Sequence, residues 1–63
     1  MTKPVTEVVI RAIHANLKEF GYSPLTLDFV RDQVAKVLAG EKTGIIGQFA
    51  HTMLIEGGYL EEV

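Results

Sequence analysis

The chain has 63 residues, 48% of them hydrophobic, with no cysteine and a formal net charge of −2 from six basic and eight acidic side chains. That length allows one domain that buries only about 60% of the surface its unfolded form exposes, and the missing cysteines exclude disulfide staples and most structural zinc sites. The charge balance argues against a broad attraction to nucleic-acid phosphates, and the hydrophobic content is too high for a disordered chain.

Pro4 suits the first turn of a helix, where its missing N–H costs nothing. From there Val5, Val8, Val9, Ala12, Ile13, Leu17 and Phe20 recur at helical spacing and form a wide apolar stripe. Glu7, Arg11, His14 and Lys18 collect on the opposite face, with Glu7 and Arg11 four apart and oppositely charged. Gly21 reads as a left-handed terminator, with Tyr22 packing back on the last turn. The first helix is therefore expected over residues 4–20. His14, between Arg11 and Lys18, reads as a solvated surface histidine.

Ser23-Pro24-Leu25-Thr26 reads as a turn into a second helix, expected over 27–39. Thr26 serves as its N-cap, and Asp28 places negative charge where the helix dipole favours it. Leu27, Val30, Val34, Val37 and Leu38 share one face, while Arg31, Asp32 and Lys36 take the other, and Gly40 closes the helix. Glu41-Lys42-Thr43-Gly44 connects to a third helix over 44–56, with Thr43 as its cap. Ile45, Ile46, Phe49, Ala50, Met53 and Leu54 form its buried face; Gln48, His51, Thr52 and Ile55 line the other side. Gly57-Gly58 ends it, with Tyr59-Leu60 as a short apolar coda. The fold class is all-α, a compact three-helix bundle with residues 1–63 as a single domain.

The longest aliphatic runs, Val8-Val9-Ile10 and Met53-Leu54-Ile55, are far short of the roughly 20 residues that cross a bilayer. Lys3 and Pro4 are followed by no apolar leader segment, so a cytoplasmic location without a membrane partner is expected. Catalysis fails on inventory: His14 and His51 lie on different helices, with no thiol nucleophile and no converging acid and base. Asp28 and Asp32, four apart, are better explained as a helix-start charge and a partner for Lys36 than as cation ligands. Gly40-Glu41-Lys42-Thr43 lacks the spacing of a phosphate-binding loop. Gly44-Ile45-Ile46-Gly47 matches the bare Gly-x-x-Gly of KH domains, with two isoleucines where that loop carries polar or basic residues; Gly47 is expected instead to let a neighbouring helix approach. No enzyme activity, cofactor, metal or small-molecule substrate is expected.

Three apolar residues fall off their stripes. Ile10 lies at the edge of the charged face of the first helix, Phe29 sits among Asp32, Gln33 and Lys36, and Ile55 lies among Gln48, His51 and Thr52. Together they suggest a contact surface for a protein partner, for a second copy of the chain, or for both, with a homodimer as the simplest assembly. The expected function is a non-enzymatic helical interaction module.

Residues 26–39, the following turn, residues 43–56 and Gly57-Gly58-Tyr59-Leu60-Glu61-Glu62 together resemble the core of helix-turn-helix and winged-helix domains over about residues 26–63. In those families the third helix reads DNA. The resemblance implies that Gln48, His51, Thr52 and in part Ile55 would face the major groove, with Lys42 near a phosphate. A helix-turn-helix DNA-binding regulator is thus the second functional reading, placed second because residues 43–56 contain neither Arg nor Lys, on which base and phosphate contacts depend. In size and character the chain also resembles short accessory proteins of bacteriophages and bacteria.

Overall fold

A computed structural model describes residues 2–22 and 25–61. Three helices carry the fold: α1 (Glu7–Glu19), α2 (Leu27–Leu38) and α3 (Ile45–Glu56). The chain is all-α and the described part measures 33 × 23 × 18 Å. The turn assigned to Ser23-Pro24 and the tail beyond Glu61 lie outside the described residues.

α1 starts three residues later than its sequence pattern suggests. Thr6 is the N-cap, with φ −109° and ψ 174°, and its carbonyl accepts from the Val9 and Ile10 amides. Pro4 lies outside the helix, in the lead-in. Its neighbour Lys3 explains the delay: the Lys3 N–H donates to the Gly58 carbonyl at 3.0 Å, and the ammonium sits 4.5 Å from the centre of the Tyr59 ring. Those contacts hold the lead-in against the end of α3 and keep it out of the helix.

α2 begins where expected, with Thr26 Oγ1 accepting the Phe29 N–H at 3.1 Å. α3 does not. Its N-cap is Gly44, which has no side chain to bond the first amides, and Thr43 does not cap. Thr43 instead lies over Gly47, where an added Cβ would fall 2.0 Å from its Oγ1. The neighbour that requires glycine at 47 is therefore the preceding turn, and not another helix. Gly47 also lies inside α3, so Gly44-Ile45-Ile46-Gly47 opens a helix and forms no backbone-clamping loop.

All three helices close in the same way. A residue in the left-handed region follows the cap, and the amide after it reaches back to a carbonyl one turn inside. Tyr22 N–H donates to Leu17, Glu41 to Lys36 and Tyr59 to Leu54, at 3.0, 2.9 and 2.8 Å. At Gly21 and Gly58 the φ values of 91° and 81° fall where a side chain is penalised. In the third case this moves the turn to Gly58, with Gly57 still right-handed at φ −82°.

The core consists of Val9, Ile13 and Leu17 from α1, Val30, Val34 and Val37 from α2, and Ala50 and Leu54 from α3. It is narrower than the apolar stripes. Val8, Phe20 and Ile45, which the helical spacing assigns to buried faces, are 76%, 68% and 69% exposed. Ala12 and Leu38 are exposed as well. For the residues of α1 and α3 the cause is topological. α2 packs along both other helices, whereas α1 and α3 meet only at their margins, so the flank of each that would face the other remains open. Gln33 goes the opposite way: placed by its wheel position among polar neighbours, it is buried on α2.

Candidate functional site

The open margin between α1 and α3 forms a groove of about 380 Å³, lined by Asn16 and Phe20 from α1 and by Phe49, Thr52, Met53 and Glu56 from α3. Helical periodicity places these side chains on one strip of each helix. Asn16 and Phe20 are one turn apart, and Phe49, Thr52, Met53 and Glu56 follow the i, i+3, i+4, i+7 pattern of a helix-packing seam.

Aromatic rings define one end of the groove. Phe20 meets Phe49 edge-on, with centroids 5.2 Å apart and planes at 60°; Tyr22 approaches the same Phe49 ring at 6.0 Å and 67°. The geometry is the edge-to-face one that ring quadrupoles favour. Tyr22 thus packs on α3 through its ring, while its backbone closes α1. Phe49 anchors the group because it also packs against the core, leaving Phe20 mostly in solvent.

The polar groups of the groove are sparse. Thr52 Oγ1 donates to the Gln48 carbonyl of its own helix at 3.2 Å. Glu56 carries the only charge among the lining residues. Elsewhere Glu7 of α1 and Asp28 and Asp32 of α2 find partners. The Arg31 guanidinium bridges Glu7 and Asp28, Arg11 lies 3.9 Å from Glu7, and Lys36 lies 3.4 Å from Asp32. Arg31 hydrogen-bonds Glu7 and so holds its carboxyl below the ordinary value, while the same bonds raise the guanidinium's own. Asp28 and Asp32 are thereby committed to ion pairs.

The residues singled out in the sequence do not converge on this groove, apart from Thr52. Ile10 is half-buried and packs against the core; Ile55 is half-buried; Phe29 is 43% exposed. Lys42, Gln48 and His51 face solvent, as does most of Thr52, forming a row along α3 and its approach. His14 departs from its expected role as a solvated surface residue. It is half-buried, and its Nε2 lies 2.7 Å from the Leu25 carbonyl, bridging α1 to the approach to α2.

Phe20, Phe49 and Met53 were legible as apolar residues, but the stripe pattern assigned them to the core. The signal for the groove was the position of Phe20, at the last turn of a helix whose buried ridge is already completed by Leu17. Comparison with protein families, with curated proteins and with solved structures gave no match to this chain.

Proposed function

We propose that the chain is a small non-enzymatic helical interaction module, acting in the cytoplasm by associating with itself, with a protein partner, or with both, through the groove between α1 and α3. The observation that carries this reading is Phe20, a phenylalanine 68% exposed at the mouth of an apolar groove and held there by edge contact with Phe49. Exposed apolar patches rimmed by polar residues mark contact sites, and aromatic anchors contribute most of the energy at such sites. Ile45 and Val8, both more than two-thirds exposed, enlarge the apolar surface on the same two helices. Phe29, Ile10 and Ile55 become secondary candidates on this reading, because two of the three are half-buried within the domain.

Sedimentation from micromolar to millimolar concentration, combined with amide chemical-shift mapping, tests the self-associating form. A mass above monomer, with shifts at Phe20, Phe49 and Met53 that disappear in Phe20→Asp, supports it. A monomer throughout would overturn self-association and leave only the partner-binding form.

A helix-turn-helix regulator is the second reading, favoured by the solvent-facing row of Gln48, His51 and Thr52 with Lys42 nearby. Retardation of duplex fragments with a steep dependence on salt would support it. Free migration of every fragment at low salt would overturn it.

A further inference from the structure

Residues 4–6 carry a helix-start pattern yet lie outside α1. We infer that they form a two-state switch. In one state they are latched against the end of α3 through Lys3; in the other, once Lys3 is released, they wind into an added first turn of α1. This inference does not depend on the interaction reading above.

The latched state has a seat built by α3 itself. The closing turn, in which the Tyr59 N–H donates to the Leu54 carbonyl at 2.8 Å, sets out the Gly58 carbonyl and the Tyr59 ring. Lys3 occupies both. Its N–H donates to Gly58 at 3.0 Å, its stem crosses Gly58, where an added Cβ would lie 3.4 Å from Lys3 Cε, and its ammonium is 4.5 Å from the ring centre. Lys3 is exposed. One exposed cation–π contact and one backbone bond are each worth little net, so the latch opens far more readily than the core.

The wound state uses the same residues. Pro4 suits the first position of a helix, and it disfavours helical backbone at Lys3, which then stands as the N-cap. Val5 lies one turn before Val9, so winding keeps it on the ridge that faces the core, against which it already packs. The Glu7, Val8 and Val9 amides would find the carbonyls of Lys3, Pro4 and Val5. The latched start offers them less: Thr6 makes no side-chain bond to the first amides, and the Val9 N–H bonds the Thr6 carbonyl in the tighter three-residue register.

The two states exclude each other. Thr6 has ψ 174° in the latched chain, and a helix needs about −42°. That rotation swings the preceding residues about the Thr6 backbone and carries Lys3 off Gly58. Because α1 and α3 meet only at their margins, winding also unties the lead-in of α1 from the end of α3.

Nuclear magnetic resonance of the intact chain and three variants tests the switch. In the parent, Cα secondary shifts of residues 4–6 should be non-helical and the residue-3 amide protected from exchange. Tyr59→Leu should speed exchange of that amide by roughly twofold to fivefold, the effect of one exposed cation–π contact, and move the shifts of residues 4–6 towards helical values. Lys3→Asp, at an exposed position, exchanges the ammonium for a preferred N-cap. It should raise the ratio of wound to latched chain by roughly tenfold or more, with the Glu7 and Val8 amides gaining protection. Lys3→Arg keeps the cation and should stay latched. If Tyr59→Leu fails to fold, the contrast between Lys3→Asp and Lys3→Arg carries the test.

Helical shifts at residues 4–6 in the parent would overturn the latch. Random-coil shifts there in Lys3→Asp, with the residue-3 amide exchanging freely, would show a strap that frays without winding and overturn the second state. Unchanged shifts and exchange in Lys3→Asp, or equal winding in Lys3→Arg, would overturn control by the Lys3 ammonium.

Discussion

The His14 Nε2 lies 2.7 Å from the Leu25 carbonyl oxygen, across 11 residues of sequence. A carbonyl only accepts, so the imidazole donates from Nε2. This bond joins the middle of α1 to the residue before the α2 cap, whose side chain also packs against the core. His14→Ala is expected to lower unfolding stability by about 1–2 kcal/mol, the cost of losing the bond and leaving a half-buried carbonyl unpaired. His51→Ala, at an exposed position, is expected to stay within about 0.5 kcal/mol of the parent. Denaturant titration of both variants checks the contrast, and equal effects would remove His14 from the inter-element framework.

Core and groove separate in the same kind of measurement. Leu17 and Leu54 are completely buried, and replacing either by alanine is expected to cost about 2–5 kcal/mol. In a domain this small that loss approaches the whole stability. Phe20→Ala removes an exposed ring and one edge contact, for about 1 kcal/mol or less. A large destabilisation by Phe20→Ala would show that Phe20 belongs to the core and not to a contact surface.

Gly47 gives a coupled pair. Gly47→Ala would drive a Cβ into Thr43, 2.0 Å from Oγ1 and 2.1 Å from Cβ, and is expected to cost about 1–3 kcal/mol by overpacking. Because the Thr43 Cβ is itself in the way, Thr43→Gly should relieve the clash where Thr43→Ala does not. The double variant Gly47→Ala with Thr43→Gly is therefore expected to be more stable than the sum of the single effects predicts. Additive losses would place the strain elsewhere.

The acid limb of stability reports on Arg31. Its hydrogen bonds hold the Glu7 carboxyl below the ordinary value of 4.5, so the folded state favours the charged form. The contribution is complete above 4.5 and is lost as pH falls through the folded-state value. The difference in thermal midpoint between the parent and Glu7→Gln should thus be present at neutral pH and shrink to nothing in acid. Its size at neutral pH is expected to be small, because both partners are exposed. A difference that persists unchanged in acid would contradict the ion pair as its source.

Helix count and order were legible because each amphipathic run ends at a glycine that the closing turn requires, and Thr26 marks the start of α2 as its residue type suggests. What escaped the pattern depends on contacts between elements. Pro4 and Val5 have helical credentials, yet the bond from Lys3 to Gly58 draws the lead-in away. Val8, Phe20 and Ile45 share the period of core residues, and only the slight contact between α1 and α3 decides that they remain exposed. His14 looked solvated because its neighbours in sequence are charged, whereas its partner is a backbone carbonyl that no side-chain pattern reveals. Periodicity identifies the apolar faces; which part of each is covered depends on how the helices cross.

The groove itself is tested most directly by mapping amide chemical shifts while a peptide, selected from a displayed random library for binding to the chain, is titrated into it. Saturating changes centred on Asn16, Phe20, Phe49, Met53 and Glu56, absent in Phe20→Asp, are expected. Changes centred on Lys42, Gln48 and His51, or on Ile10, Phe29 and Ile55, with the groove unperturbed, would contradict the assignment of the binding surface to the margin between α1 and α3.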